Sequence, residues 1–137
     1  MPTHEQIVDA LGHAITNRDF ARLAELLDDD VVYEIAGIEM EGAGVFDKRT
    51  LLETMPQVLT LFEEGSPRLT ITHTFRDGDW IITEATGAGR FANGTIYDNR
   101  YVILYEIVDG RVRTVREYMD TQHAARLFAA AAGSPQR

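Results

Sequence analysis

One acidic side chain in this sequence is out of keeping with its neighbours. In the run VREYMD, residues 115–120, strand parity puts Val115, Glu117 and Met119 on one face and Arg116, Tyr118 and Asp120 on the other. If Val115 and Met119 face a core, Glu117 faces it with them. A carboxyl in apolar surroundings loses hydration, its pKa rises, and it can exchange a proton near neutral pH. The preceding stretch, IYDNRYVILYEIV, alternates in the same way, with Tyr97, Asn99, Tyr101, Ile103, Tyr105 and Ile107 sharing a face. Phenols and an amide there could hold a substrate oxygen as charge develops on it.

Two further positions extend this set. His73 is in phase with Leu69, Ile71 and Phe75, so simple alternation turns it inward, where it could couple with Glu117 as general acid and base. Tyr33 turns inward with Val31 and Ile35 on an early strand. The candidate catalytic residues are therefore Glu117 and His73, and the candidate substrate-binding residues are Asn99, Tyr33, Tyr97 and Tyr101. Each has a structural alternative. Glu117 could pair with Arg100 or Arg116, His73 could be a satisfied core residue, and the tyrosines could be amphipathic core side chains. An inward amide such as Asn99 needs partners or costs stability.

Composition narrows the classes. The chain has 137 residues, 13 basic and 22 acidic, for a net charge of −9, which disfavours unassisted binding to nucleic acid or an anionic membrane. It has no cysteine, so thiol nucleophiles, disulfides and cysteine-bound metals are out. His4, His13, His73 and His123 lack metal-ligand spacing, and Gly87-Ala88-Gly89 lacks the glycine and helix start of a phosphate loop. No cofactor and no metal are expected. No apolar run is long enough to span a membrane and the N-terminus is too polar for a signal peptide, so a cytoplasmic location is expected.

The elements that must position these residues can be read in order. Thr3 and Gln6 form a capping-box pattern before a helix with Ile7, Val8, Leu11, Ala14 and Ile15 inward. Asp19 caps a second helix, which Asp28-Asp29-Asp30 ends as a turn. Val31 to Ile35 is a short strand, and the glycine-rich segment 36–46 is a loop or short hairpin. Asp47 caps a third helix in which Pro56 predicts a kink or a division into two. Long strands follow from Arg68, with turns at Asp77-Gly78-Asp79, Asn93-Gly94 and Asp109-Gly110. Gly87 and Gly89 either let the sheet bend or leave space above it. Thr121 is the expected cap of a last helix. These elements make one domain over residues 1–132, of the α+β class, with residues 133–137 as a frayed tail.

The segments NRDFARLAELLDDDVVYE, NGTIYDNRYVILYEIVDGRV and VREYMDT resemble SnoaL-like proteins of the NTF2-like superfamily, over roughly residues 5–128. The resemblance implies a cone-shaped barrel: a curved antiparallel sheet with the N-terminal helices on its concave face and an apolar pocket between them. It also implies a homodimer through the outer sheet face and a small hydrophobic ligand. Matched to limonene epoxide hydrolases, Glu117 takes the place of a pocket aspartate, while Ala85 and Gly87 replace the partner arginine and aspartate. Matched to ketosteroid isomerases, the base falls on Ile35 or, with a one-residue shift, on Glu34. Polyketide cyclases, with one acid/base residue in an apolar pocket, fit best. The expected activity is cofactor-free isomerisation, cyclisation or dehydration of a small carbonyl compound such as a polyketide. A non-catalytic binding protein and an epoxide hydrolase with a rearranged triad are the alternatives.

Overall fold

The computed structural model describes residues 1–133, and the expected frayed end from Ser134 onward lies outside the described residues. The chain runs α1 (His4–Thr16), α2 (Phe20–Leu26), β1 (Leu27–Ile35), β2 (Gly44–Phe46), α3 (Lys48–Leu59), β3 (Arg68–Asp77), β4 (Trp80–Arg90), β5 (Ile96–Val108), β6 (Arg111–Met119) and α4 (Thr121–Ala132). One six-stranded sheet has the order β2-β1-β6-β5-β4-β3. It is curved and does not close, leaving β2 and β3 as edges. All pairings are antiparallel except β1 with β6, which is parallel. The sheet is therefore mixed, not purely antiparallel as anticipated. The crossover from β1 to β6 carries the rest of the sheet, a separation that parallel pairing demands.

Local signals account for most boundaries. Thr3 and Gln6 complete the capping box on α1, each side chain bonding the other's backbone N–H. Asp19 and Asp47 cap α2 and α3. The triple aspartate does not form a turn: Asp28, Asp29 and Asp30 lie within β1, with Asp29 paired to Lys48 of α3 at 3.0 Å. Pro56 sits in the final turn of α3, and the segment forms one helix. Asp120, not Thr121, caps α4, its carboxylate accepting from the His123 N–H. Asp109 and Gly110 both have positive φ, 52° and 76°, which closes the β5–β6 hairpin with the twist that flanking strands need.

The core lies between the inner sheet face and the helices. Leu11 and Ala14 of α1, Leu23 and Leu26 of α2, and Leu51 and Leu59 of α3 meet Ile81, Ile103, Ile107, Val112 and Val115 of the sheet. At one end Phe62 stacks on Phe91 at 4.4 Å, with Tyr97 and Phe128 packed edge-on around them. The α1–α2 turn is tied down by Arg18, whose guanidinium donates to the carbonyls of Thr16, Leu59, Glu63 and Ser66. Among the described residues no helix is long and apolar enough to cross a membrane.

Candidate functional site: Glu117 and its tyrosines

Register places Glu117 on the inner face. Tyr33 pairs with Val115 and Ile35 with Glu117 across β1–β6; Ile103 pairs with Glu117, Tyr101 with Met119 and Tyr105 with Val115 across β5–β6. The carboxyl thus lies in a cross-strand row between two isoleucines, with Tyr33, Tyr105 and Tyr101 at diagonal positions within reach of long side chains. Tyr33 donates to Glu117 Oε1 at 3.3 Å. Tyr97 and Tyr101, both buried, bond through their hydroxyls. Arg116 points the other way and stacks over Trp80 at 5.2 Å on the outer face, so it is not a counter-ion for Glu117.

The electrostatics follow from this arrangement. Glu117 is partly accessible as a residue, yet protein atoms surround its carboxyl. Loss of hydration pushes it up to about 7 from 4.5, and the Tyr33 hydrogen bond pulls only weakly back. Burial likewise raises Tyr33, Tyr97, Tyr101 and Tyr105, and the Glu117 charge raises each of them further. One carboxyl therefore senses four phenols. Tyr105 belongs to this group and was passed over in the sequence, although its parity with Tyr101 was enough to include it.

Two other candidates are placed differently. His73 does not join Glu117. A bulge in β3 between Ile71 and His73 breaks the alternation, so Ile71 stays opposite Ala85 while His73 falls opposite Glu84 on the outer face. There it is exposed and lies 3.7 Å from the Glu84 carboxylate. Phe75 is carried outward with it and Thr74 is turned in. Asn99 faces inward as its parity requires and is only 7% exposed. However, its amide is engaged by main chain: Nδ2 donates to the Asp120 carbonyl at 3.2 Å, and Oδ1 accepts from the N–H groups of Arg100 and Asp120. It fastens the β6–α4 junction rather than offering a free donor.

The space above Gly87 is filled. A Cβ there would lie 2.7 Å from Cε1 of Tyr101, so the absent side chain is what lets that ring lie over β4. Gly89 plays the same part for Ser66 and Pro67. Accessibility on the inner face of β6 changes along the strand: Val112 and Val115 are fully buried, Glu117 and Met119 only partly. Here α3 packs on β1 and β2 and α4 on β5, with β6 between them. Leu52 and Met55 of α3 and Leu127 and Phe128 of α4 are also only partly buried. Two hollows are described elsewhere. One of about 450 Å3 lies on the outer face at His73, Glu84, Arg100 and Tyr118, and one of about 280 Å3 separates Glu5, Val8 and Asp9 of α1 from Thr74 and Thr83; Glu117 lines neither. Among the described residues no group of three or more His, Asp or Glu side chains could hold a metal ion.

Comparison with known proteins agrees with this architecture. A Burkholderia pseudomallei NTF2-like protein superposes with a TM-score of 0.80 at 20% identity, covering 95% of this chain and 100% of that one. A Catenulispora acidiphila protein with a ketosteroid isomerase-like fold, solved in complex with trimethylamine, gives 0.76 at 20% identity over 97% and 100% of the two chains. A Rhodopseudomonas palustris protein, named provisionally as an isomerase, gives 0.78 at 18% identity over 93% and 97%. At such identities the likeness establishes the fold alone. No curated protein matches the chain. The SnoaL-like domain model matches residues 8–115, from the first helix through the Glu117 strand's core position Val115, and the chain belongs to the SnoaL-like domain family.

Proposed function

We propose that the chain is a cofactor-free acid/base enzyme that moves a proton next to the carbonyl of a small hydrophobic substrate, in an isomerisation, cyclisation or dehydration. The observation that carries this reading is Glu117: an inward carboxyl with no basic partner among the described residues, held near 7 by lost hydration. A group poised there is both a competent base and a competent acid at neutral pH. Glu117 abstracts the proton from the carbon next to the carbonyl and returns it at the new position. Phenols beside it hold the oxygen on which charge accumulates. Their raised pKa values keep them protonated, so they serve as donors and not as bases. A polyketide-like ketone suits this setting, because the inner face offers hydrocarbon and hydroxyl groups and no cation for an acidic substrate. The ligand enters by displacing partly buried side chains such as Met55, Met119 and Phe128.

The test is exchange of ketone α-protons into deuterated buffer, followed by NMR across a panel of aryl ketones. The wild-type chain is expected to accelerate exchange for at least one member, and Glu117→Gln to lose that acceleration by about 100-fold or more. Wild-type inactivity across the panel, or retained exchange in the variant, contradicts the role. Tyr33, Tyr101 and Tyr97 are assigned to substrate binding with Tyr105 added, and Asn99 to positioning.

The outer sheet face is proposed to pair with a second copy of the chain. Its central cross-strand row reads Val45, Glu34, Arg116, Leu104, Ile82 and Phe75 from β2 to β3. The next row adds Tyr118, Val102, Glu84 and His73. The first row sets the oppositely charged Glu34 and Arg116 beside the apolar run Leu104, Ile82 and Phe75, a surface that a two-fold axis can set against itself.

A further inference from the structure

The loop between β1 and β2 stands beside the proposed site and is held to the fold at its root. Its root is anchored there: the Ala36 N–H donates to the Glu117 carbonyl at 2.9 Å, and Ile35 is the cross-strand neighbour of Glu117. Beyond the root, the loop's own backbone hydrogen bond is Ala43 N–H to the Met40 carbonyl. At its tip Ile38 is wholly exposed, at 103%, between Gly37 and Glu39. Gly37 and Gly44 bound the loop with φ of 152° and 151°, a region open to glycine and costly for other residues. Gly37 also lies against Thr121 and Met40, so the loop starts at the junction with α4. After the terminal Met1, Ile38 is the most exposed large apolar side chain among the described residues, and covering it would remove hydrocarbon from water.

We infer that the segment from Gly37 to Gly44 is a flap that swings on its two glycines and lays Ile38 over the ligand at Glu117, making Ile38 a specificity-determining contact. This rests on the reading of Glu117 as the ligand site. It accounts for why the inner face is left partly open at Glu117 and Met119 in the unliganded chain: the missing cover is carried by the loop. It also sets a preference. An isoleucine closing over the ligand selects a hydrocarbon surface on the side away from the carbonyl, and the flanking Glu39 and Glu41 discourage an anionic substituent there.

The sequence lacks cysteine, so Ile38→Cys creates a single thiol for labelling. The probe is Prodan, a solvent-sensitive naphthyl ketone. Its affinity is expected to fall as pH rises through about 7 in the wild type, because an ionised Glu117 must give up hydration against the apolar ligand, and to lose that dependence in Glu117→Gln. With Prodan bound, maleimide labelling of Ile38→Cys is expected to slow by about five-fold or more, while Glu25→Cys on the exposed face of α2 labels at an unchanged rate. Ile38→Ser is expected to weaken Prodan binding by about five-fold with an unchanged melting temperature. Glu117-dependent binding that leaves labelling and Ile38→Ser affinity unaltered overturns the flap alone. Absence of any Glu117-dependent binding overturns the site and the flap together.

Discussion

Glu117 links protonation to stability. Its proton is held more tightly in the folded chain than in the unfolded one, so the folded state binds more protons between the ordinary carboxyl value of 4.5 and about 7. That contribution is complete at the acid end and is lost as pH rises through this window. Glu117→Gln has no proton to lose. It should therefore gain on the wild type by on the order of 2 kcal/mol between about pH 5 and about pH 8, measured by denaturant unfolding. Curves that stay parallel across that range would mean Glu117 is hydrated in the folded chain. Tyr33→Phe removes the one donor to the carboxylate and should move the Glu117 midpoint upward. A downward move would show that Tyr33 does not stabilise the charged form. At Gly87, alanine would collide with the Tyr101 ring, and a cost of about 1–3 kcal/mol is expected, with Tyr101 displaced from Tyr97.

At the scale of elements, Arg18 and Asn99 do similar work on different joints. Arg18 gathers four carbonyls from the α1–α2 turn, the end of α3 and the loop before β3. Arg18→Ala should cost about 2–4 kcal/mol, and Arg18→Lys should recover little because an ammonium cannot fork between separated carbonyls. Equal stability of all three proteins would show that water replaces the guanidinium freely. The caps of the first three helices, the hairpin turns and the faces of β5 and β6 were legible in the sequence because they depend on near neighbours. Thr3 with Gln6, Asp109 with Gly110, and the period-two run of tyrosines are of this kind. What was not legible depends on distant partners. The β3 bulge leaves no mark in the alternation from Leu69 to Phe75, so His73 was turned inward in expectation and outward in fact. The three aspartates occupy the irregular stretch of β1 between its pairings at Leu27 and Val32, where Lys48 and Arg113, distant in sequence, reach Asp29 and Asp28. Asn99 could be seen to need partners, but not that the main chain of Asp120 would satisfy it.

At the scale of the molecule, a curved sheet leaves the inner face of β6 partly open at Glu117 and Met119, where the proposed site lies. The SnoaL-like architecture fixes where an inward residue of β6 lies, and this chain puts a lone carboxyl there among phenols. The same sheet presents to solvent the outer-face rows of apolar and charged side chains that a second copy would cover. Sedimentation of the wild type is expected to give a dimer, and Leu104→Glu with Ile82→Arg a folded monomer; a wild-type monomer at high concentration would remove that assembly. The central claim remains that Glu117 is a proton-exchanging group in the interior. Its carboxyl-carbon NMR titration, assigned by the signal missing in Glu117→Gln, measures this directly. A midpoint near 7 is predicted, and one at the ordinary value of 4.5 would contradict the account.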